Sequence, residues 1–410
     1  MMRSMFSGVS GLRNHQIRMD VIGNNIANVN TIGFKGSTVN FHDILSQTIQ
    51  GAAQPQGNVG GTNPRQVGLG VGIASIDTIF TDGSTQSTGK QTDLALQGQG
   101  FFILADGAKN YYTRAGNFDF DTAGNFIVPG TGLKVQGWTG VNGVIDTNTA
   151  AGNIQIPVGT SIAPTATTAM TYTKNLNAGA AIGTAYQTST TVYDSLGDAH
   201  VVNVTFTKSA ANAWDWSLST ADPDITAIAG DGTVMFDGLG AYDAVNSVET
   251  TAPSLTLGNG AITPQAVAMS LVGLTQYSSE NTVNGVSNGY APGTLETVTV
   301  DTSGVITGRF SNGLSQQLAQ VAIASFNNPA GLLKAAENKY EQSNNSGVAQ
   351  VGPANSGGRG KIAPGTLEMS NVDLSQEFTN MIVTQRGFQA NSKIITTSDE
   401  MLQDLVNLKR

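Results

Sequence analysis

The two ends of this chain carry apolar residues at the spacing of a helical seam, and that periodicity limits the available folds more than any other feature. At the N-terminus the intervals are mostly three and four residues, as in a coiled-coil helix: Met5, Val9, Leu12, Met19, Ile22, Ile26 and Val29. Near the C-terminus the same kind of residue recurs every seven positions, with three further members: Leu374, Met381, Phe388, Ile395 and Leu402, joined by Phe378, Leu405 and Val406. The pattern predicts two long terminal helices that pack against each other and against neighbouring copies.

Short signals mark the ends of these helices. Asp373, with Gln376 three residues later, has the pattern of a capping box, so the second helix is expected to run from there to about Leu408. Gly387 and polar residues at the second seam position make either helix marginal alone. The small residues Ser4, Gly8 and Gly11 lie beside the first seam, where they would let another helix approach closely. An ordinary intramolecular helical hairpin stays open as the alternative.

Four amides crowd the end of the first helix: Asn24, Asn25, Asn28 and Asn30. Asparagine tolerates left-handed backbone geometry, so termination and capping explain them without further function. The sharper hypothesis is that some of these amides fix the register between subunits.

Between the ends the apolar pattern has a period of two, and 50 of the 410 residues are glycine, which favours short strands and tight turns. An Asp-x-x-Gly turn recurs between alternating runs, at residues 121–124, 194–197 and 301–304. Each predicts a hairpin. The predicted fold class is mainly β with α-helical termini, with nested β domains on a terminal helical coiled-coil pair.

Breaks in composition predict a nested domain order. A terminal helical assembly domain is expected from residues 1–30 and 370–410, and an extended linker region from 31–72 and 358–369, in which a short helix can form around Phe41 to Thr48. An inner β domain is expected from 73–145 and 281–357, and an inserted acidic outer β domain from 146–280.

The net charge of −9 belongs to the middle of the chain. Residues 141–290 hold 2 basic and 11 acidic side chains, whereas residues 1–140 hold 9 and 8 and residues 291–410 hold 9 and 10. This balance argues against nucleic acid as a partner, since phosphates need a basic surface. The apolar runs are too short for a membrane span, and the N-terminus does not resemble a cleaved secretory signal.

Nothing in the sequence assembles a reaction centre. The chain has no cysteine, and its histidines, His15, His42 and His200, lack partners at metal-ligand spacing. No serine lies in a nucleophile-elbow sequence, and the glycine strings do not match a nucleotide-binding loop. Trp214 and Trp216 share one face of a strand, where core packing is a better explanation than a sugar-binding platform. We therefore expect no enzyme activity, no metal and no cofactor.

Several segments resemble one family. SGVSGL (7–12) and DVIGNNIANVNTIGFK (20–35) resemble the N-terminal signature of bacterial flagellar rod and hook proteins, and residues 365–410 resemble their C-terminal segment. GFFILADG (100–107) and TRAGNFDFDTAGNFIV (113–128) are similar to the family's internal core. YDSLGDAHVVNVTF (193–206) and ITGRFSNGLSQQLAQVAIASFNNPAGL (306–332) resemble the hook members in particular.

The resemblance implies a structural subunit that polymerises into a curved, flexible tube, a universal joint between rod and filament that encloses the export channel. It implies the following partners: other copies of the chain, the distal rod protein, the hook cap, the hook–filament junction proteins and the flagellar type III export apparatus. It places the chain in the extracellular hook of the basal body, exported without a cleaved signal. Two alternatives stay open: a distal rod protein of the same family, and a secreted β-rich adhesin with the tryptophan pair in its binding face.

Overall fold

The computed structural model describes residues 2–55, 57, 60–107, 109–157 and 159–407, with the side chains at positions 2 and 405 left out. The chain folds as two compact units. The terminal unit comprises Met1–Val158, Val298–Thr307 and Gln316–Arg410, and the inserted unit comprises Gly159–Thr297 and Gly308–Ser315. The predicted end of the second helix at Leu408 lies outside the described residues.

One helix lies at each end of the chain, and strands dominate between them. Helix α1 spans Met2–Ala27 and α2 spans Leu374–Asn407. The first strands are β1 (Ser37–Asp43), β2 (Ser46–Gln50), β3 (Arg65–Gly68), β4 (Val71–Thr78), β5 (Thr85–Ser87), β6 (Leu94–Gln97), β7 (Phe101–Asp106), β8 (Lys109–Thr113), β9 (Asp119–Phe120), β10 (Phe126–Ile127), β11 (Lys134–Thr139) and β12 (Gly152–Asn153). The predicted mainly β fold with helical termini is confirmed.

The remaining strands follow in chain order. The next are β13 (Ser161–Ile162), β14 (Ala169–Asn177), β15 (Ala185–Tyr193), β16 (Ala199–Ala210), β17 (Ala213–Thr220), β18 (Ile225–Met235), β19 (Val248–Leu257), β20 (Gln265–Ala266), β21 (Ala268–Tyr277) and β22 (Asn284–Ser287). The last are β23 (Gly293–Val300), β24 (Val305–Phe310), β25 (Ser315–Ser325), β26 (Leu333–Lys334), β27 (Lys339–Glu341), β28 (Gln350–Pro353), β29 (Lys361–Pro364) and β30 (Thr366–Glu368), with a short 3-10 helix at Pro329–Gly331.

The terminal unit is built on an antiparallel sheet in which β25, β11, β7, β8, β27 and β26 are successive neighbours. Its core is aromatic: Phe101, Tyr112, Trp138, Phe326 and Tyr340 are buried together. Strands from the two ends of the chain also pair, because β29 joins β6 and β30 joins β5. Residues that follow α1 in the sequence therefore pair with residues that precede α2.

The inserted unit contains two sheets around one core. The larger is antiparallel in the order β15 to β20, and the smaller has β14 between β21 and β22. Buried and more exposed residues alternate along β16, which is the predicted period of two. Trp214 and Trp216 are both buried in the core shared by the two sheets. The core explanation for this pair is confirmed, and neither ring is available as a sugar platform.

The Asp-x-x-Gly turns are confirmed, with a common mechanism. In each turn one carboxylate oxygen accepts backbone N–H groups two and four residues later, as when Oδ1 of Asp121 accepts from Ala123 at 2.9 Å and Asn125 at 2.7 Å. The glycine supplies a positive φ, which is 79° at Gly124. Asp237 builds a fourth turn of the same kind.

The expectation of a short helix around Phe41 to Thr48 is wrong, because this stretch contributes to β1 and β2. β1 pairs with β4, and β2 pairs with β3. Every residue of β2 and β3 is exposed, so this ribbon buries little in its own chain. Few apolar anchors were visible in the sequence, and strand partners about 15 to 40 residues away along the chain supply the backbone hydrogen bonds instead.

His200 lies between two carboxylates in the inserted unit. Its Nδ1 lies 2.9 Å from Oδ2 of Asp222, and its Nε2 lies 3.4 Å from Oδ2 of Asp194, while Asn259 donates to Asp194 at 2.6 Å. Burial opposes the charged imidazole, but the hydrogen bonds and charges of the two carboxylates outweigh it and raise the pKa of His200. His200 therefore joins the loops of Asp194 and Asp222, and Asn259 adds a third loop through Asp194.

The inserted unit is expected to lose stability as the pH rises. With a pKa above the ordinary value of about 6.5, His200 stabilises the fold fully below that pH and loses its contribution as the pH passes through the raised value. Thermal melting at pH values between about 6 and 9 checks this expectation. The fluorescence of Trp214 and Trp216 in a Trp138→Phe background reports the unfolding. The variant His200→Gln should make the melting temperature of the inserted unit depend less on pH. A melting temperature that rises with pH in the parent protein would contradict the assignment.

Candidate assembly interface

Small and polar residues, together with the apolar Ile395, form the contact between α1 and α2. The helices run antiparallel: a Cβ on Gly8 would lie 3.3 Å from Ile395, and one on Gly11 would lie 2.8 Å from Asn391. At Gly387 a Cβ would lie 2.7 Å from the ring of His15. Glycines on both helices thus let the backbones approach closely. The predicted meeting of the terminal helices is confirmed.

A side chain at Gly387 is expected to separate the helices. Gly387→Leu should lower the free energy of unfolding of the terminal unit by about 1–3 kcal/mol, the usual cost of overpacking. Gly23 is the matched control, since a Cβ there meets nothing within 4 Å. Because leucine is the better helix former by several tenths of a kcal/mol, Gly23→Leu should be neutral or stabilising. Urea unfolding of both variants measures the difference, and equal stabilities would contradict the close contact.

The ring of His15 packs within this contact. Its ring packs edge-to-face on Phe41 at 5.8 Å between centroids, and its buried Nδ1 has no hydrogen-bond partner in the described part of the chain. Burial, and then the charge of Arg18, lower the pKa of His15. The predicted packing role for this histidine agrees with its position.

The predicted heptad residues are mostly half-buried, and those of α2 lie beside a polar line of residues. On α2 the most enclosed line also repeats every seven residues but is polar: Glu377, Thr384, Asn391 and Ser398. Of the predicted assembly residues, Ile22 is buried, and half-buried are Met5, Leu12, Met19, Ile26, Val29, Met381, Phe388, Ile395 and Leu402. Val9, Leu374, Phe378 and Val406 are exposed, and the side chain of Leu405 lies outside the described residues.

Two exposed apolar stripes flank the polar line on α2. One is Leu374, Phe378 and Ile382, and the other is Val383, Ile394 and Met401. At about 100° per residue, the stripes lie on opposite sides of the line that contacts α1. Phe378 is 51% exposed and Ile382 is 58% exposed, far more than side chains of this kind within a core. Exposed apolar side chains grouped in this way on a helix are typical of a protein–protein contact.

The four amides at the end of α1 have different roles. Asn25 is buried, exchanges hydrogen bonds of 2.8 and 3.0 Å with the backbone of Ser37, and donates to Glu377 at 3.3 Å. Asn28 donates to the carbonyl of Asn24 and to its side chain, at the helix end. Asn24 and Asn30 are exposed. Asn25 thus fixes α1 on β1 and α2 within one chain, and a register role between subunits stays a prediction.

A buried ion cluster that the sequence reasoning missed joins the two chain ends. Nζ of Lys35 lies 2.5 Å from Oε1 of Glu368, and Nη1 of Arg114 lies 3.4 Å from Oε2 of the same carboxylate. Lys35 is fully buried and also donates to the carbonyl of Thr81 at 2.7 Å. Burial, only partly offset by Glu368, lowers the pKa of Lys35. Both residues lie in the family-like terminal segments, but no local pattern marks them as partners.

Comparison with known proteins finds matches at both ends of the chain and in the residues between them. Four family models match: flagella basal body rod protein at residues 5–35, flagellar hook protein D1 domain at 95–173, flagellar basal body protein D2 domain at 164–290 and the rod protein C-terminal segment at 363–408. The flagellar hook protein of Treponema pallidum is 42% identical, and that of Borreliella burgdorferi is 41% identical, each over the whole of both chains. The chain belongs to the flagellar hook protein family. It is a structural subunit of the flagellar hook.

A solved structure supports the fold of this hook subunit. The chain is similar to a Helicobacter pylori flagellar hook protein at a TM-score of 0.55, with 15% identity, over 69% of this chain and the whole of the other. The relatives do not favour the alternatives of a distal rod protein or an adhesin. They support self-polymerisation within the flagellum and a place in the hook.

Neither helix is long and apolar enough to cross a membrane over the described residues. The same part of the chain holds no group of three or more histidine and carboxylate side chains suited to a metal ion.

Proposed function

We propose that this hook subunit polymerises through the apolar stripes of its terminal helices. The single observation behind the proposal is the division of α2 into two kinds of surface. The polar line that contains Thr384 packs on α1, while the stripes represented by Phe378 and Val383 have no partner within the described chain. In the assembly, the apolar residues of both helices that the sequence predicts for subunit contacts would pack between neighbouring subunits around the export channel.

In such a polymer, the axial strength of the tube and its ability to bend depend on different contacts. Apolar side chains buried between helices stabilise strongly, since removing one large side chain costs about 2–5 kcal/mol. The inserted unit, which holds most of the acidic excess, would make weaker polar contacts that exchange as the tube bends. This division supports a curved, flexible tube that couples rod torque to the filament.

The nested four-part domain order and the external partners belong to the same proposal. The subunit would be exported unfolded by the type III apparatus without a cleaved signal and assemble outside the cell beneath the hook cap. It would begin on the distal rod protein and later accept the hook–filament junction proteins. Family membership supports these roles, and the absence of cysteine suits a chain that travels unfolded. The chain would act without a cofactor and without catalysis.

Electron microscopy of the purified full chain tests the central claim. At high protein concentration the subunit should form hollow, curved tubes that sediment. A protein that stays monomeric at every concentration, or forms only amorphous aggregates, would contradict polymerisation by the chain alone.

A further inference from the structure

The sequence contains five Asn-Gly pairs, and asparagine is a chemically labile residue, most of all before glycine. The asparagines are Asn142, Asn259, Asn284, Asn288 and Asn312. In deamidation the backbone nitrogen of the glycine attacks the side-chain carbonyl carbon of the asparagine, and ammonia leaves as a succinimide ring closes. Water then opens the ring to aspartate or isoaspartate. A glycine favours the attack because it has no Cβ and a wide range of backbone angles. Water is the only co-reactant, so local structure decides which pair reacts.

Three of these asparagines are held at both ends of the side-chain amide. Asn259 donates to Asp194 at 2.6 Å and accepts from a backbone N–H two residues later at 3.1 Å. Asn288 donates to the hydroxyl of Thr168 at 2.8 Å and accepts from the backbone N–H of the same residue at 3.0 Å. Asn312 donates to a backbone carbonyl at 2.9 Å and accepts from a backbone N–H at 3.1 Å. These bonds must break before the side chain can turn onto the glycine nitrogen.

The backbone around Asn284 is fixed instead of its side chain. Asn284 lies in β22, where it is opposite Thr173 of β14, and the following glycine is opposite Tyr172. A Cβ on Gly285 would lie 2.1 Å from the hydroxyl of Thr190, so the strand is also enclosed from the neighbouring sheet. Ring closure rotates the peptide between the two residues, and a strand paired and packed in this way resists that rotation.

Asn142 has neither kind of restraint. It is the first central residue of the hairpin turn at residues 141–144, with φ of 52° at Asn142 and 80° at Gly143, as in a type I′ turn. Its side chain is exposed and makes no hydrogen bond within the described part of the chain. Two backbone hydrogen bonds of 3.0 and 3.1 Å close the turn, and Val141 and Val144 are 72% and 71% exposed. The turn therefore opens without uncovering any core.

We propose that Asn142 is the site at which this chain deamidates, with water as the co-reactant and no enzyme. The product carries a negative charge where the amide was neutral. In the isoaspartate form the chain continues through the former side chain, which lengthens the backbone of the turn and shifts the two valines out of register. The inference concerns the inner part of the terminal unit and is independent of polymerisation.

Ageing of the purified full chain at mildly alkaline pH, folded and in guanidinium chloride, tests the assignment. Tandem mass spectrometry follows all five pairs, and Lys134 and Lys174 place Asn142 on a tryptic peptide separate from the other four. In the unfolded chain the five pairs should react at similar rates. In the folded chain Asn142 should keep its rate within about three-fold, whereas the other four should slow about ten-fold or more, because their restraints must break first.

Two variants isolate the site. Asn142→Gln should stop the accumulation of acidic species on ion exchange, because glutamine would have to close a larger ring. Asn148→Gln is the matched control, since Asn148 is exposed in the same loop but precedes a threonine, and this variant should age like the parent chain. A folded chain in which another pair reacts first, or in which Asn142 slows as much as the other four, would overturn the assignment. So would acidic species that still accumulate at the parent rate in Asn142→Gln.

Discussion

Replacing Glu368 by glutamine is expected to destabilise the terminal unit by about 3–5 kcal/mol, the usual effect of removing one partner from a buried ion pair. Glu368 is 1% exposed and neutralises both Lys35 and Arg114, so its loss leaves Lys35 without a counter-charge and Arg114 with only the half-exposed Asp82, at 3.4 Å. For a unit of this size the melting temperature should fall on the order of 10 °C. Calorimetry of the full chain measures the shift.

Two comparison variants make this expectation specific. Lys35→Met should cost less than Glu368→Gln, because Glu368 keeps its contact with Arg114. Asp119→Asn removes an ion pair with Lys90 in which both side chains are about half exposed, and it should change stability by less than about 1 kcal/mol. A Glu368→Gln variant that melts with the parent protein would show that the cluster does not hold the chain ends together.

Phe378→Asp is expected to abolish tube formation while the monomer stays folded. Phe378 is half exposed in the single chain, so the substitution disturbs little there and should change stability by about 0.5 kcal/mol or less. In the polymer the same position would bury a carboxylate against apolar neighbours. Losing about 1.5–3 kcal/mol of apolar burial and adding a desolvation penalty should raise the critical concentration more than about 100-fold.

The measurement is sedimentation and electron microscopy over a range of concentrations, with circular dichroism of the monomer. Phe378→Leu is the matched control, since it keeps an apolar side chain and should still form tubes. Val383→Asp probes the opposite stripe, and a smaller effect there would identify the Phe378 stripe as the stronger contact. Normal tubes from Phe378→Asp would remove this surface from the assembly.

The architecture followed from local patterns. A seven-residue repeat and a period of two are each visible within a few residues, so both terminal helices and the β body could be predicted without knowledge of the fold. The Asp-x-x-Gly turns were equally predictable, because one carboxylate binds backbone groups only two to four residues away. The ribbon formed by β2 and β3 was missed, since its sequence has few anchors and its stability depends on pairing.

The same patterns could not predict which surface of each helix contacts the rest of the chain and which stays exposed. The apolar seam does not distinguish contacts within the chain from contacts between copies: Phe388 and Ile395 are half-buried beside the polar line with Thr384 and the close approach at Gly387, whereas Phe378 is exposed. Gly387 looked like a weak point in the helix, yet it is the position where the His15 ring packs. Which face of an amphipathic helix is covered depends on what else the chain brings to it.

The sequence by itself determined the helical ends, the β-rich middle and the acidic insertion, since those properties are written in neighbouring residues. Only the tertiary structure decided that Lys35 meets Glu368 across 333 positions and that the apolar stripes of α2 stay uncovered. The physical reason is that periodicity and turn chemistry act over a few residues, whereas burial and charge pairing depend on the path of the whole chain.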